Sequence, residues 1–254
     1  MGKSTDVKAP IPKPPLPLRA MTVAKRILPH PVYYRYLGRH ERTSMALWGA
    51  LVDRAPGGAV ILDVGAYHGV YAEAARQRRA DVAVIAFEPN ADALEKLRPT
   101  CADLEIAVEE LALARATGSV AFSLDGESSG IVDHDNARER IEVGAVSLDD
   151  WADANGADPW LLKIDVEGSE DDVLTGGRMT MERARPIVLC EVLDDAAGRR
   201  VEQALPDDYC YFSIDEDRGP RRESSIRRWA WRHKNQLLVP SESVGMVEEA
   251  AAAA

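Results

Sequence analysis

The spacing of hydrophobic residues changes from helical to continuous near residue 56. Residues 40–54 carry apolar side chains at intervals that place them on one side of a helix. These apolar positions are Met45, Leu47, Trp48, Leu51 and Val52. After a Pro-Gly-Gly break, residues 59–64 form an almost unbroken apolar run. A short run of this kind predicts a strand that is covered on both faces of a sheet.

Strand-like and helical patterns then alternate along the chain. The predicted strands are 59–64, 82–87, 104–108, 119–124, 141–146, 160–165, 186–192, 209–214 and 236–239. The predicted helices among them are 70–79, 91–98 and 169–175. Alternating βαβ units favour an α/β fold with a doubly wound, mostly parallel sheet. The last two strands predict an antiparallel edge at the C-terminal end.

The chain divides into four predicted regions. Five prolines between residues 10 and 17 predict a disordered tail over 1–20. Residues 21–55 are expected to form a helical cap, and 56–240 the main α/β domain. Residues 241–254 end in five alanines and are predicted to be a second disordered tail.

Charge and composition exclude several functions. The formal net charge of -11 disfavours binding to nucleic acid or anionic lipid. The arginines between 218 and 228 are interpreted first as a solvated loop and second as a site for an anionic substrate. No run approaches the ~18 apolar residues of a membrane helix, and no signal peptide is recognisable, so we expect a cytoplasmic protein. The three cysteines form neither a zinc nor a disulfide pattern.

The loop after the first strand, residues 63–69, carries the first candidate site. Gly65 would let a ligand approach the backbone closely, and Gly69 would let the next helix start tightly against the sheet. Dinucleotide sites use G-x-G-x-x-G, whereas Tyr67 puts a ring where a pyrophosphate needs bare backbone. Asp63 could attract the ammonium group of a cofactor that carries an amino acid, a sulfonium and a nucleoside. Tyr67 and His68, in the same loop, are also predicted to contact the cofactor. The alternatives are an ordinary turn of a cofactor-free fold and, for His68, a surface residue at the start of a helix.

Two further strand ends provide contacts for a nucleoside. Glu88 follows the second strand and could accept both hydroxyls of a ribose, or it could stabilise the following helix. After the third strand, Glu110 is the candidate for the adenine amino group, although Glu109 cannot be distinguished from it. Ala112 and its apolar neighbours are expected to sandwich the adenine ring.

The loop after the strand at 160–165 carries acids that a helix cap does not explain. Ser169 and the acids after it are accounted for as the start of a helix. Asp165 and Glu167 lie before it, where a carboxylate could accept a hydroxyl proton or hold a sulfonium by charge. Glu191, at the end of the next strand, is expected to lie across the same cleft. His134 is a further candidate base in the loop 130–136.

In order and spacing, these segments resemble the FkbM-type methyltransferases. The matching segments are 63–71, 86–89, 147–150, 162–170 and 186–191. Over roughly residues 40–240, the resemblance implies a class I Rossmann-like methyltransferase fold. It also implies S-adenosylmethionine as the methyl donor and, commonly, an oxygen acceptor on a sugar or secondary metabolite. The sequence departs from the family at Tyr67, where Asn is usual, and at Glu110, near which Asn is frequent.

The resulting hypothesis is direct in-line methyl transfer to a hydroxyl of a small molecule. Asp165, Glu167, His134 and Glu191 are the candidate bases. Asp165, Glu191 and Asp194 could supply oxygen ligands to a divalent ion, but the sequence lacks a dense metal pattern and we predict no metal. Acceptor contacts are expected from residues 30–45, including Tyr33, Tyr34, Tyr36 and Glu41, and from 125–137. The rivals are a nicotinamide-dependent oxidoreductase and a nucleoside-binding protein without turnover.

Overall fold

The computed structural model describes residues 40–123, 130–131, 140–227 and 234–254. Its strands are β1 Val60–Val64, β2 Ala83–Phe87, β3 Ala107–Glu109, β4 Ala112–Ala114, β5 Gly118–Ser123, β6 Arg140–Ser147, β7 Pro159–Ile164, β8 Ile187–Glu191, β9 Tyr209–Asp215, β10 Gly219–Glu223 and β11 Asn235–Pro240. Its helices are α1 Arg42–Val52, α2 Val70–Arg78, α3 Ala91–Asp103, α4 Leu148–Asn155, α5 Glu170–Gly176, α6 Arg178–Ala184, α7 Asp195–Ala204 and α8 Val244–Ala253. A 3-10 turn, Ser241–Ser243, precedes α8.

The main sheet has eight strands in the order β10-β9-β11-β8-β7-β1-β2-β3. The five strands from β8 to β3 run parallel, and β11 is antiparallel to both β8 and β9. A smaller sheet, β4-β6-β5, follows β3 in the chain. The predicted α/β fold, with a mostly parallel sheet and an antiparallel C-terminal edge, is confirmed.

Two hydrophobic clusters cover the two faces of the main sheet. Ile61 and Leu161 belong to the cluster that contains α1, α2 and α8, whereas Leu62 and Leu162 belong to the cluster with α4, α5 and α7. Successive side chains of a strand point to opposite faces, so a strand covered on both sides must be apolar at every position. This arrangement accounts for the unbroken apolar runs, and it leaves polar side chains to the strand ends.

The prediction of a disordered tail at 241–254 is wrong for nearly all of that segment. Residues 244–253 form α8, which packs on α1 and β11 and buries Val247 and Ala250. Alanine is the residue that favours helix most strongly, so the Ala-rich end propagates a helix once Val247 reaches the core. Residues 1–39, which include the predicted proline-rich tail and most of the helical cap, lie outside the described residues.

Three other boundaries differ from the predictions. Helix α3 continues through Pro99 to Asp103, because Leu97 and Cys101 are both buried on its core side. The third strand is therefore 107–109 rather than 104–108. Part of the arginine-rich segment, interpreted as a loop, is the edge strand β10, which pairs with β9. Within the described ranges, every helix falls short of the length and hydrophobicity that crossing a bilayer requires.

Candidate active site

A cleft lies at the carboxyl ends of the parallel strands, where ligands bind in open α/β sheets. The ends of β1, β2, β7 and β8 line it, with the segments after β1, β2, β3 and β7. Residues of α2, β4 and β5, and those just before α1 and β11, complete the lining. The lining residues are Glu41, Asp63, Val64, Gly65, Ala66, Tyr67, Val70, Tyr71, Phe87, Glu88, Pro89, Asn90, Leu111, Ala112, Leu113, Phe122, Ile131, Lys163, Asp165, Val166, Glu167, Glu191 and Lys234. Most of the sequence-predicted site residues are thus brought together.

The glycine loop after β1 is fixed between the ends of β2 and β7. The backbone N–H groups of Gly65 and Ala66 both donate to the carbonyl of Phe87, at 3.0 and 2.9 Å. Gly65 has a φ of 75°, and a Cβ built on it would lie 2.0 Å from the Asp165 carbonyl oxygen. This position therefore requires glycine for a contact within the protein itself, before any ligand is considered.

Gly69 has a comparable structural reason to be glycine. Its φ is 73°, and an added Cβ would lie 2.5 Å from Cδ1 of Leu97 on α3. The absence of a side chain at Gly69 leaves room for the Leu97 side chain of α3 at the start of α2. The predicted roles, a helix that starts tightly against the sheet at Gly69 and close ligand approach at Gly65, both stay predictions, and the contact seen at Gly69 is with Leu97 of α3.

Tyr67 adopts a left-handed backbone conformation, with a φ of 50°. Such a conformation is uncommon for an aromatic residue and suits Asn, which is usual here in the family that the sequence resembles. The Tyr67 ring lines the cleft and stacks on the His68 imidazole, with centroids 4.0 Å apart and an angle of 10° between the planes. His68 is only 1% exposed and does not line the cleft, so its interpretation as a surface residue is wrong.

Glu88 is a buried carboxylate that two backbone groups orient. Its Oε2 accepts from the N–H of Tyr67 at 2.8 Å, and its Oε1 accepts from the N–H of Asn90 at 2.9 Å. Burial raises the pKa of Glu88 to about 7. Each oxygen has a second lone pair for a further donor. The helix that follows is capped by Asn90, whose Oδ1 accepts from the Asp92 N–H at 3.0 Å, so α3 has its N-cap without Glu88.

Asp63 ends β1 below the glycine loop. Its Oδ2 accepts a hydrogen bond from the N–H of Ala72 at 3.0 Å, which satisfies one free donor in the first turn of α2. Burial raises the pKa of Asp63 to about 6. Asp63 also lines the cleft, and its contact with a ligand's ammonium group stays a prediction beside this structural role.

Neither Glu109, the last residue of β3, nor Glu110 after it lines the cleft. Glu110 is exposed and pairs with Arg98 of α3, at 2.6 Å between Nη2 and Oε1. Glu109 accepts a hydrogen bond from Nε1 of Trp151 at 3.2 Å. The cleft wall is instead formed by Leu111, Ala112 and Leu113. Ala112 therefore lies where the sequence predicted a wall for adenine, whereas the Glu110 side chain does not.

The side of the cleft formed by the ends of β7 and β8 contains three carboxyl groups. Oxygens of Asp165, Glu167 and Glu191 all lie within 4.8 Å of one another. Asp194, the third metal ligand considered from the sequence, instead caps α7 by accepting from the N–H groups of Ala196 and Ala197 at 2.8 Å. His134 and the rest of 132–139, like 124–129 and Tyr33, Tyr34 and Tyr36, fall outside the described ranges.

Two lysines contact this carboxyl cluster. Nζ of Lys163 lies 3.2 Å from Oδ2 of Asp165, and Nζ of Lys234 lies 2.9 Å from Oε1 of Glu191. Lys234 also lies 2.9 Å from Oε1 of Glu41. Charged groups of the chain itself therefore offset the carboxylates.

These contacts close into a ring through a tyrosine. The hydroxyl of Tyr71 donates to Oε2 of Glu41 at 2.7 Å, and Nζ of Lys163 lies 5.3 Å from the centre of the Tyr71 ring. We call Glu41, Tyr71, Lys163, Asp165, Glu191 and Lys234 the ion-pair ring. Its members come from the residue before α1, from α2, β7, the segment after β7, the end of β8 and the residue before β11.

Sequence reasoning did not assign Lys163, Tyr71 or Lys234 to the site. A lysine inside an otherwise apolar strand was a usable signal for Lys163, which is 1% exposed, because buried lysines are rarely left unpaired. Lys234 offered no local signal, since its partners are distant in sequence. Glu41 was predicted as an acceptor contact, and it lines the cleft.

Residues 63–213 match the family model described as the methyltransferase FkbM domain. Among solved structures, the chain is similar to methyltransferase FkbM from Methylobacillus flagellatus KT, with 18% identity and a TM-score of 0.48 over 72% of this chain and 43% of that chain. It therefore spans less than half the length of that structure. No curated protein matches the sequence significantly.

For two other solved structures, a larger share of their own chain aligns with this protein. Precorrin-6y C5,15-methyltransferase from Geobacter metallireducens GS-15 is 14% identical, with a TM-score of 0.43 over 78% of this chain and 85% of that chain. The O-methyltransferase TomG from Streptomyces achromogenes, in complex with SAM, is 12% identical, with a TM-score of 0.43 over 78% and 79%. The family model spans more than half of the sequence and includes the glycine loop, Glu88, Asp165 and Glu191. This chain belongs to the FkbM methyltransferase family, a family of S-adenosylmethionine-dependent methyltransferases.

Proposed function

We propose that the chain transfers the methyl group of S-adenosylmethionine to a hydroxyl oxygen of a small molecule. The observation that carries this proposal is Glu88, a buried carboxylate at the end of β2 whose two oxygens are aligned by the N–H groups of Tyr67 and Asn90. A carboxylate fixed in this way offers one free lone pair on each oxygen for the two hydroxyls of a ribose.

The rest of the cleft fits the other parts of that donor. Leu111, Ala112 and Leu113 offer an apolar wall for an adenine ring on the β3 side of Glu88. Asp63 and Asp165 lie on the β1 and β7 side, where negative charge suits the ammonium and sulfonium groups. When bound, S-adenosylmethionine would supply a methyl group made electrophilic by the sulfonium.

Asp165 is the proposed base for the acceptor hydroxyl. It follows β7 in the cleft, and its side chain keeps 29% exposure, so it is accessible to a substrate. Glu167 is the second candidate, because its carboxyl group lies in the same cluster and it lines the cleft. His134 stays a candidate from the sequence alone. Alignment of the hydroxyl and methyl groups, together with exclusion of water, would provide much of the rate.

The proposed acceptor is a small hydroxylated molecule, such as a sugar or a secondary metabolite. The carboxyl and ammonium groups of the ion-pair ring can exchange hydrogen bonds with hydroxyls, and the acceptor end of the cleft lies beside them. These polar groups favour a hydroxylated acceptor over an apolar one.

Calorimetry and turnover test this function separately. We expect binding of S-adenosylmethionine and S-adenosylhomocysteine, and no binding of NAD. A panel of monosaccharides, polyols and phenols, with primary amines for comparison, would then be screened for formation of S-adenosylhomocysteine. Turnover with a hydroxyl compound that is lost in Asp165→Asn supports the proposal. Binding of NAD alone, or methylation of amines only, contradicts it.

A further inference from the structure

Helix α1 begins at a residue whose own side chain does not cap it. Glu41 is the N-cap residue, and its side chain makes no hydrogen bond to the first turn of the helix. Ser, Thr, Asp and Asn are preferred at an N-cap because their short side chains reach back to the N–H groups two and three residues further on. The Glu41 carboxylate instead lines the cleft, beside Lys234 and Tyr71. The first turn of α1 therefore needs a cap from elsewhere in the chain.

Glu216 supplies that cap from the turn between β9 and β10. Its Oε2 accepts from the backbone N–H groups of Thr43 at 2.7 Å and Ser44 at 3.2 Å. These are the two donors that an N-cap side chain satisfies in other helices. The hydroxyl of Ser44 donates to Oε1 of Glu216, and the hydroxyl of Thr43 donates to the Glu216 backbone carbonyl at 2.9 Å. A carboxylate at this end of α1 is also favoured by the helix dipole.

The start of β11 contacts the same end of α1. Nδ2 of Asn235 donates to the hydroxyl oxygen of Ser44 at 3.0 Å, and both side chains are buried. Nζ of Lys234, the preceding residue, lies 2.9 Å from Oε1 of Glu41. The backbone carbonyl of Lys234 accepts from the N–H of Val192 at 2.7 Å, which fixes this segment to the end of β8. Two consecutive residues thus bind α1, one at its first turn and one at the carboxylate in the cleft.

Glu41 is oriented by two donors and can accept further hydrogen bonds. Lys234 contacts its Oε1, and the hydroxyl of Tyr71 donates to its Oε2 at 2.7 Å. A carboxylate offers two lone pairs on each oxygen, so a second lone pair is present on both. A molecule in the cleft therefore meets a carboxylate whose direction is set before binding, which reduces the entropy lost on binding.

Glu41 and Asp165 lie at different positions along the ion-pair ring. Lys234 joins Glu41 to Glu191, and Glu191 shares the carboxyl cluster with Asp165 and Glu167, to which Glu41 does not belong. An acceptor that presents one hydroxyl to Asp165 would therefore reach Glu41 with a different hydroxyl. Such a molecule needs at least two hydroxyl groups.

We propose that the acceptor is a polyhydroxylated molecule, a sugar or polyol, and that Glu41 binds one of its hydroxyls while another is methylated beside Asp165. Glu216 is a positioning residue that acts through Glu41, because it caps α1 and leaves the Glu41 carboxylate to the cleft. The inference deepens the proposed function and rests on it for methyl transfer and for the role of Asp165.

Hydrogen–deuterium exchange tests the cap without cofactor or acceptor. In Glu216→Ala, the amides of residues 43 and 44 should exchange at least about tenfold faster than in the wild type, because they lose their acceptor. Glu216→Gln keeps an acceptor oxygen and should stay within about threefold of the wild type. Asp217→Ala changes an exposed acid of the same turn and is the matched control. Equal exchange in Glu216→Ala and Asp217→Ala would overturn the role of Glu216.

Substrate analogues test the contact with Glu41. The probes are the sugar or polyol of the panel with the highest turnover and its analogues that each lack one hydroxyl. In the wild type, loss of the hydroxyl that binds Glu41 should raise KM roughly 3- to 10-fold. Glu41→Met has a similar length but only a weak acceptor, so it should raise KM for the complete compound and abolish the penalty for that analogue.

Two outcomes would overturn the contact with Glu41. One is a penalty for the missing hydroxyl that persists unchanged in Glu41→Met. The other is methylation of phenols or simple alcohols by a protein that methylates no sugar or polyol.

The kinetic effect of Glu216 should appear in the acceptor KM. Without the cap, the Thr43 and Ser44 N–H groups compete for the Glu41 carboxylate. Glu216→Ala should therefore raise the acceptor KM roughly 3- to 10-fold, with kcat within about threefold of the wild type. Glu216→Gln should restore the wild-type KM. Equal losses of kcat and of affinity for S-adenosylhomocysteine, without rescue by glutamine, would identify a purely structural role and overturn the inference.

Calorimetry with S-adenosylhomocysteine separates failure of this inference from failure of the proposed function. A wild-type protein that binds neither cofactor form contradicts the proposed function, whereas amide exchange at α1 still decides whether Glu216 is the cap. If Glu216→Ala does not fold, Glu216→Asp withdraws the carboxylate from α1 by one methylene and should produce the same rise in acceptor KM. An acceptor KM that stays at the wild-type value in Glu216→Asp, with faster exchange at residues 43 and 44, would overturn the link between the cap and Glu41.

Discussion

The backbone N–H of Tyr67 donates to the Glu88 carboxylate at 2.8 Å, which joins the loop after β1 to the end of β2. Tyr67 makes this hydrogen bond while its backbone is in the left-handed conformation. The second oxygen of Glu88 is fixed by Asn90, so the carboxylate is oriented by the backbone on both sides. A group oriented before binding loses little conformational entropy when a ligand arrives.

Replacing Glu88 by Ala should weaken binding of S-adenosylhomocysteine roughly 10- to 100-fold. The variant removes the acceptor of two ribose hydroxyls, and a net contribution of about 0.5–1.5 kcal/mol from each hydrogen bond gives a loss of this size. Isothermal titration calorimetry measures the change. Glu95→Ala, on the exposed side of α3, is the matched control and should bind like the wild type. Equal affinities of Glu88→Ala and the control would remove Glu88 from the ribose site.

Cofactor binding should strengthen as the pH rises through about 7. Burial raises the pKa of Glu88 to about 7. Below that pH the Glu88 carboxyl group of the free protein is protonated, and it must lose this proton before it can accept hydrogen bonds from both ribose hydroxyls. If only the carboxylate binds, affinity at pH 6 is about tenfold lower than at pH 8. Asp63, with a pKa of about 6, acts in the same direction over a lower range. Titration calorimetry of Glu88→Gln should give a flatter dependence, and an equally steep one would contradict this origin.

Gly65→Ala should destabilise the protein far more than Gly58→Ala. Both glycines have a left-handed φ, 75° and 76°, so both variants carry a strain of about 1 kcal/mol. At Gly65 the new Cβ would also lie 2.0 Å from the Asp165 carbonyl, whereas at Gly58 it would have no neighbour within 4 Å. We expect an additional loss of at least about 2 kcal/mol in Gly65→Ala, measured by urea unfolding. Equal losses would mean that backbone strain, rather than the close approach, requires glycine.

Glu110→Ala should leave the affinity for S-adenosylhomocysteine within about twofold of the wild type. Glu110 is exposed and pairs with Arg98 at the surface, and such pairs contribute little. Ala112→Phe, in contrast, would fill the cleft wall next to Leu111 and should weaken binding at least about tenfold. A large effect of Glu110→Ala would restore the adenine contact expected from the sequence.

Glu170→Gln should stabilise the protein at pH 8 but not at pH 5. Oε1 of Glu170 accepts from the N–H groups of Val166 and Gly168, and burial raises the pKa of Glu170 from its ordinary 4.5 to about 7. As the pH rises from 4.5 to 7, the unfolded chain loses this proton first, so the free energy of unfolding falls by roughly 3 kcal/mol at most.

Glutamine keeps the acceptor of Glu170 and removes the ionisation. Urea unfolding at both pH values would measure the difference, with the exposed Glu95→Gln as a control. A stability change that is the same at pH 5 and pH 8 would contradict the role assigned to ionisation of Glu170.

Local sequence patterns were sufficient for the sheet and for the acids that end its strands. Asp63, Glu88, Asp165 and Glu191 could be located because parallel strands bring their carboxyl ends to one edge of the sheet. Lys234 could not be located in this way. Its ammonium group lies beside Glu41 and Glu191, and these three meet only once β11 has paired with β8 and α1 has packed near β9.

Local patterns could not predict the direction in which a side chain points or whether a terminal segment packs on the core. Glu109 and Glu110 are adjacent acids, and the structure turns one toward Trp151 and the other toward Arg98. Composition could not distinguish such directions. The alanines after residue 249 suggested disorder, yet α8 is stabilised by burial of Val247 and Ala250 against the core.

The ion-pair ring also has a consequence for the order in which the site is completed during synthesis. The glycine loop, Glu88 and the leucines of the cleft wall all leave the ribosome well before Lys234 does. Until β11 docks beside β8, Glu41 and Glu191 lack the ammonium group that joins them. A nascent chain therefore acquires the parts proposed to recognise a nucleoside first, and the charge balance around Asp165 last.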